Sequence, residues 1–212
     1  MTRPIVVIGC GGHGREVHDI IEAINDASPA WDFCGYLDDA PDPTNVALVK
    51  ARGSAVLGGS AWLHAAARDI HYVIGIGSGD VRQRLDEELS SRGRAAATLV
   101  HPTASIGTQG EVGEGSVLWP GSRMTTNVHV GRHTHINQNA TVGHDSVLGD
   151  YVTVNPLAAL SGGVRVGDRA MIGAGSVVLQ YRSLGQGCSV GAGACVVKDV
   201  PTETVVKGVP AR

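Results

Sequence analysis

The stretch VGRHTHINQNATVGHDSVL, residues 130–148, decides the fold. Aliphatic side chains stand at Val130, Ile136, Val142 and Leu148, six apart, and the spacing holds without a break from Val100 to Val196. A period of six is neither the 3.6 of a helix nor the 2 of a plain strand. It is the hexapeptide repeat of a parallel β-helix, in which three hexads close one coil. Four residues after each aliphatic the side chain is small or β-branched, as at Val128, Thr134, Ala140 and Ser146, with Arg182 the departure. A narrow triangular prism needs one large and one small inward residue per side, because interiors pack at crystal density. The residue directly after each aliphatic is often Gly or Asn, as at Gly131, Asn137, Gly143 and Gly149. Those types suit sharp corners that demand positive φ, so the corners are expected there.

Before Val100 the pattern changes to alternating strands and helices. Pro4–Ile8 reads as a buried strand, followed by Gly9-Cys10-Gly11-Gly12-His13-Gly14 and a helix from about Arg15 to Ile24. A second strand is expected over Trp31–Leu37, ending in Asp38-Asp39, and Pro41 to Thr44 reads as a loop. Ser60 is a candidate cap for a helix running through Arg68. Tyr72–Ile76 reads as a third strand ending in Gly77-Ser78-Gly79, with a helix over Asp80–Ser91. The expectation is a small Rossmann-like parallel-sheet domain over residues 1–100 and a β-helix over 101–212, with His101-Pro102 at the seam. The glycine loop can let a phosphate approach the backbone at a helix N-terminus, and it fits the G-x-G-x-x-G pattern with Asp38 downstream. A dinucleotide oxidoreductase and a tight turn that binds nothing are the other readings of that loop.

Net charge is −3, with no basic run, which argues against nucleic acid or an anionic membrane as partner. No apolar stretch is long enough to insert in a membrane, and no signal peptide is apparent, so a cytoplasmic setting is expected. The four cysteines lack paired spacing, which fits a reducing compartment.

The order of these motifs, closing on Gly208-Val209-Pro210-Ala211-Arg212, resembles the NeuD/PglD-like sugar acyltransferases. The resemblance implies a left-handed β-helix, acetyl-CoA as cosubstrate without a metal, a nucleotide-activated amino sugar as substrate, and a homotrimer. It places the general base and its partner at His144 and Asp145, where the family usually has Glu. Acyl transfer to an amine needs a base, and histidine suits that task near neutral pH. It assigns sugar-nucleotide contacts to Gly11, Gly12, His13, Asp38, Asp39, Gly77 and Asn137. It assigns coenzyme contacts to Gly143, Thr153, Gly162, Ala174 and Ala192, with Thr153 where the family often has a second histidine. Oxyanion stabilisation is expected from backbone N–H groups near Gly143 or in the next coil. A sialic-acid or other sugar O-acetyltransferase is the neighbouring reading.

Two other classes stay open at this point. His129, His133 and His135 cluster ahead of His144, so a zinc-dependent β-helix enzyme is considered, although their spacing does not match the ligand set of β-helical carbonic anhydrases. A non-catalytic nucleotide-binding module is the third.

Overall fold

Ile5, Val6, Val7 and Ile8 are all buried, so β1 (Arg3–Ile8) is covered on both faces, as a central parallel strand must be. In the computed structural model, which describes residues 1–212, α1 (Gly12–Ala27), β2 (Trp31–Leu37), α2 (Pro43–Ala51), β3 (Val56–Gly58), α3 (Trp62–Ala65), β4 (His71–Ile74) and α4 (Gly79–Ser91) follow. The sheet is parallel in the order β3-β2-β1-β4. Val17, Ile20 and Ile21 seat α1 on one face, and Leu85 and Leu89 help seat α4 on the other.

Several local expectations need correction. The first helix opens at Gly12, inside the glycine run. The segment expected as a loop at Pro41–Thr44 leads directly into α2, with Pro43 in its first turn and the Asp42 carboxylate accepting from Thr44 N at 2.8 Å. Only Val49 of that helix is buried, so it has no apolar stripe to read. The three-residue edge strand β3 is likewise too short to show a pattern. Ser60 caps nothing: α3 is a single turn, and the Ser60 N–H and hydroxyl both donate to Asp39.

From Leu99 onward the chain forms two-residue strands that stack on three faces. The first face contains Leu99–Val100, Val117–Leu118, His135–Ile136, Thr153–Val154, Met171–Ile172, Ser189–Val190 and Val205–Val206. The second contains Ser105–Ile106, Arg123–Met124, Thr141–Val142, Ala159–Leu160, Val177–Val178 and Cys195–Val196. The third contains Glu111–Val112, His129–Val130, Val147–Leu148, Arg165–Val166 and Ser183–Leu184. Every pairing is parallel, with partners one coil apart. The aliphatic and small columns both point inward and build one continuous core.

The corner chemistry differs from the expectation. Positive φ falls three residues after the aliphatic, at Asn127, His133, Asn139, Asp145, Tyr151, Leu157 and Gly163, and not directly after it. The glycines directly after the aliphatic meet a different constraint. A Cβ on Gly113 would lie 2.5 Å from the carbonyl carbon of Gly131, and one on Gly167 would lie 2.5 Å from Gln186 N. These positions are glycine because consecutive coils touch there.

The two domains are joined by more than the chain. Arg82 of α4 is fully buried. It donates to the carbonyls of Ile76, Gly77, His133, Tyr151 and Val152 and to Thr153 Oγ1, at 2.7–3.1 Å. One turn on, Asp86 accepts from the Tyr72 and Tyr151 hydroxyls and from Arg132 Nε and Nη2. His133 Nε2 lies 3.0 Å from the same carboxylate but off the hydrogen-bond axis. Burial works against this carboxylate, yet its surrounding donors hold its pKa well below the ordinary range. On the far side of the sheet, His13 shares a 3.0 Å hydrogen bond with His135 and stacks on Trp119. Glu16 of α1 accepts from Gln138 Nε2 at 3.2 Å.

The seam is therefore acid-labile. Burial, then the Arg82 charge, lowers the His13 pKa to about 4, and burial holds that of His135 well below the ordinary imidazole range. Both stay neutral when folded, so the unfolded chain binds more protons between pH 6.5 and 4. Stability from this source is complete above about pH 6.5 and drops by roughly 3 kcal/mol for His13 alone as pH falls to 4. Denaturant melts across that range are expected to show the decline, and His13→Leu to flatten it; an unchanged slope in the variant contradicts the assignment.

Candidate active site

His144 and Asp145 sit on the edge of the prism between its second and third faces. Asp145 occupies a left-handed turn at φ 59°, which brings its carboxylate back beside the preceding ring. His144 Nδ1 lies 2.7 Å from Asp145 Oδ2, and Asn127 Nδ2, one coil earlier, donates to Asp145 Oδ1 at 3.0 Å. The His144 contact, with the Asn127 bond behind it, holds the Asp145 pKa below the ordinary carboxylate range. With Nδ1 occupied by the carboxylate, Nε2 is the ring nitrogen left free; it lies toward Gly162 of the next coil, and the His144 side chain is 55% exposed. The ring covers Gly162 in the next coil, where any Cβ would collide with it. The Gly162 N–H makes no backbone hydrogen bond, whereas the Gly143 N–H is committed to the Leu160 carbonyl at 2.8 Å. The edge thus presents an oriented imidazole nitrogen above a main-chain donor, as acyl transfer requires. Sequence reading missed Asn127. Its signal was available, because residues one full coil apart stack.

In the α/β half, the glycines divide sharply. Gly9, Gly14 and Gly75 are locked together: Gly9 has φ +101°, and a Cβ on Gly75 would lie 2.6 Å from Gly14 Cα. Gly11, Gly12 and Gly77 have neither a close neighbour nor positive φ. Nothing in the fold explains glycine at these three positions, which fits close approach of a ligand to the backbone. Both Asp38 oxygens accept backbone N–H groups, from Cys10 at 2.9 Å and Ala40 at 3.0 Å. Burial opposes the charge, but these bonds leave the Asp38 pKa lowered. Asp38 thereby fastens the glycine loop, and Asp39 fastens the turn at Ser60. Arg15, not anticipated, reaches from the first turn of α1 to the Cys10 carbonyl and to Asn45 Oδ1.

Other expected residues lie elsewhere. Asn137 is buried on the first face, its amide donating to the Val154 carbonyl. Thr153 is buried in the domain seam, where its hydroxyl donates to the Gly77 carbonyl and accepts from Arg82. Within one chain Thr153 is not brought to His144. Ala174 and Ala192 line the edge between the first and second faces, one coil apart, so they too are separated from His144 by a face of their own prism. The three clustered histidines diverge. His129 pairs with Glu111 on the third face, and His133 and His135 are buried in the seam.

The domain bearing the glycine loop covers the first face and reaches both of its edges, through Arg132, Tyr151 and Arg169 on one side and Gln138 on the other. His144 occupies the opposite edge. A chain alone does not bring His144 to its own glycine loop.

Comparison with known proteins follows the same division. Residues 4–89 match the family model of the PglD N-terminal domain, and residues 145–180 match that of the bacterial transferase hexapeptide (six repeats). The chain is 33% identical to GDP-perosamine N-acetyltransferase of Escherichia coli O157:H7, over 97% of this chain and 94% of that one. The acetyltransferase domain of PglB from Neisseria gonorrhoeae FA1090, solved with acetyl coenzyme A, superposes with a TM-score of 0.89 at 28% identity, covering 100% and 99% of the two chains. A variant of perosamine N-acetyltransferase from Caulobacter crescentus, solved with CoA and GDP-perosamine, gives 0.83 at 30% identity, covering 99% and 95%.

The two classes of glycine separate in a stability measurement. Gly12→Ala is expected to leave the melting temperature unchanged, since its Cβ meets only the Arg15 side chain at 3.9 Å. Gly167→Ala, whose Cβ has no room, is expected to cost about 1–3 kcal/mol. Equal effects in a thermal melt would contradict this division.

Proposed function

We propose, for a chain that belongs to the NeuD/PglD-like family of hexapeptide-repeat sugar acetyltransferases, that it carries an acetyl group from acetyl-CoA to the amine of a nucleotide-linked amino sugar. The relatives named above support an amine acceptor over a hydroxyl, and a GDP-linked 4-amino sugar is the first substrate to test. The observation that carries the reading is the exposed His144–Asp145 pair set over Gly162. In the chemistry this pair supports, His144 Nε2 takes a proton from the attacking amine as its nitrogen bonds to the thioester carbonyl carbon. Asp145 holds the ring and the imidazolium that forms. The Gly162 N–H faces the developing oxyanion. The C–S bond then breaks, and the proton on His144 goes to the departing thiolate. Transfer is direct: Cys10 and Cys188 are buried, exposed Cys34 lies on β2 of the α/β domain away from the His144 edge, and Cys195 lies three coils along the second face, about 14 Å away at the usual strand spacing.

The site is shared between subunits of a trimer. Of the apolar side chains left exposed on the solenoid, Ile106 at 40%, Leu157 at 66%, Val177 at 39%, Leu179 at 37% and Tyr181 at 68% lie on the second face or its edges, while Met171 and Val205 lie on the first. Turning the second face toward a three-fold axis would bury the former group. It would also set the His144 edge of one prism beside the neighbour's edge that bears Ala174 and Ala192. The coenzyme arm then lies in the groove between them, with the sugar on the neighbour's glycine loop.

A thiol-release assay with acetyl-CoA and a panel of nucleotide-linked amino sugars tests the activity. His144→Ala is expected to lower turnover by about two to four decades with coenzyme binding retained; full activity in that variant rejects His144 as base. Asp145→Asn is expected to slow turnover by a smaller factor. Sedimentation is expected to give about three times the 21.9 kDa chain mass, and a fully active monomer would contradict the shared site.

A further inference from the structure

Two loops of the nucleotide-binding half contain the glycines that packing does not explain: Gly11-Gly12 after β1, and Gly77 after β4. Each loop is fastened to the β-helix, and the two attachment points are one pair of residues. His135 and Thr153 are direct cross-strand partners on the first face. His135 Nδ1 meets His13 Nε2 at 3.0 Å, immediately after Gly12. Thr153 Oγ1 donates to the Gly77 carbonyl at 3.0 Å. Arg82 Nη2 donates to the same hydroxyl at 3.0 Å, while Arg82 Nη1 holds the Ile76 and Gly77 carbonyls at 2.9 Å. All three anchors are buried: His135 and Arg82 at 0% exposure and Thr153 at 5%. Cross-strand partners in a ladder sit at a fixed spacing of about 4.8 Å. The distance between the two loops is thus referred to the rung spacing of the solenoid as well as to the small domain's own sheet.

We propose that His135 and Thr153, with Arg82 behind them, are positioning residues that set the gap between the glycine loop and the Gly77 loop, so that the β-helix forms part of the nucleotide-sugar site without touching the ligand. This rests on the reading of those loops as the sugar-nucleotide site. It gives Thr153 a role different from a coenzyme contact. Its only hydroxyl proton is already committed to the Gly77 carbonyl while it accepts from Arg82, and its face is not the one that leads to His144.

Thr153→Val keeps the shape and removes both hydrogen bonds, Thr153→Ser restores the hydroxyl, and His135→Phe keeps the tilted ring contact with Trp119 while removing the bond to His13. Steady-state kinetics with each substrate varied, and calorimetry with the nucleoside diphosphate and with acetyl-CoA separately, give the readout. Thr153→Val and His135→Phe are each expected to raise the nucleotide-sugar KM about ten-fold, the scale of losing such an anchor. Acetyl-CoA KM should stay within about two-fold, and Thr153→Ser should recover the wild-type value. A rise in acetyl-CoA KM in Thr153→Val, or an unchanged nucleotide-sugar KM in both variants, overturns the proposal. Failure of the underlying reading looks different: the wild-type protein would then bind neither a nucleoside diphosphate nor release CoA with any sugar nucleotide. Should one variant fail to fold, the other, acting on the opposite loop, decides the matter in the same assay.

Discussion

Arg82 carries a full positive charge into a seam without solvent, and no carboxylate is among its bonded partners. A guanidinium can be buried this way only if its N–H groups all find acceptors. Here the acceptors come from both domains: Ile76 and Gly77 from one, His133, Tyr151, Val152 and Thr153 from the other. Burial lowers its pKa to about 9, which still leaves it charged at neutral pH. Removing either side of this arrangement would leave a buried charge short of partners, so the relative placement of the domains is fixed by the same residue that holds the Gly77 loop. Asp86 at the next turn of α4 repeats the logic with opposite sign, drawing Arg132 and two tyrosine hydroxyls onto one carboxylate.

The β-helix was legible from its period alone, because each hexad must supply one large and one small inward side chain and the chain has no freedom to do otherwise. The corner reading was displaced. Glycine directly after the aliphatic looked like a conformational requirement, and it is a packing one: coils touch there, while the left-handed residue comes two positions later and is often not glycine. The α/β half was legible wherever strands and helices bury an apolar face, and illegible at α2 and β3, where hardly anything is buried. That His144 points outward was legible because a repeat announces which positions leave the prism, whereas its pairing with Asp145 as base and partner came from the family resemblance. Arg82, His135 and Thr153 could not be recognised as a seam, since they lie in different domains and nothing in the linear pattern says which solenoid face the small domain covers. One hint existed: Arg82 and Asp86 occupy core-facing positions on α4 beside Leu85 and Leu89, where a charge pair is out of place unless it meets another surface.

On the proposed reading, the same seam makes the site a matter of assembly. By seating the small domain on the first face, the chain places its glycine loop across the prism from its own His144. In the proposed trimer, His144 and the glycine loop meet when a second prism brings its free edge alongside, an arrangement that would also cover the exposed apolar residues of the second face. Rigidity at the seam then has a functional meaning. If the reacting groups belong to different chains, as proposed, their separation depends on how firmly each small domain is held to its own solenoid.

Subunit complementation tests this account most directly. His144→Ala and Gly12→Val chains, each inactive alone, are mixed under conditions that exchange subunits, and acetyl transfer is measured. If each site takes its base from one chain and its nucleotide loop from the next, random assortment leaves about a quarter of the sites intact, and activity should return to about that fraction of wild type. No recovery in verified mixed trimers would show that base and loop act within one chain, and the shared-site account would fall.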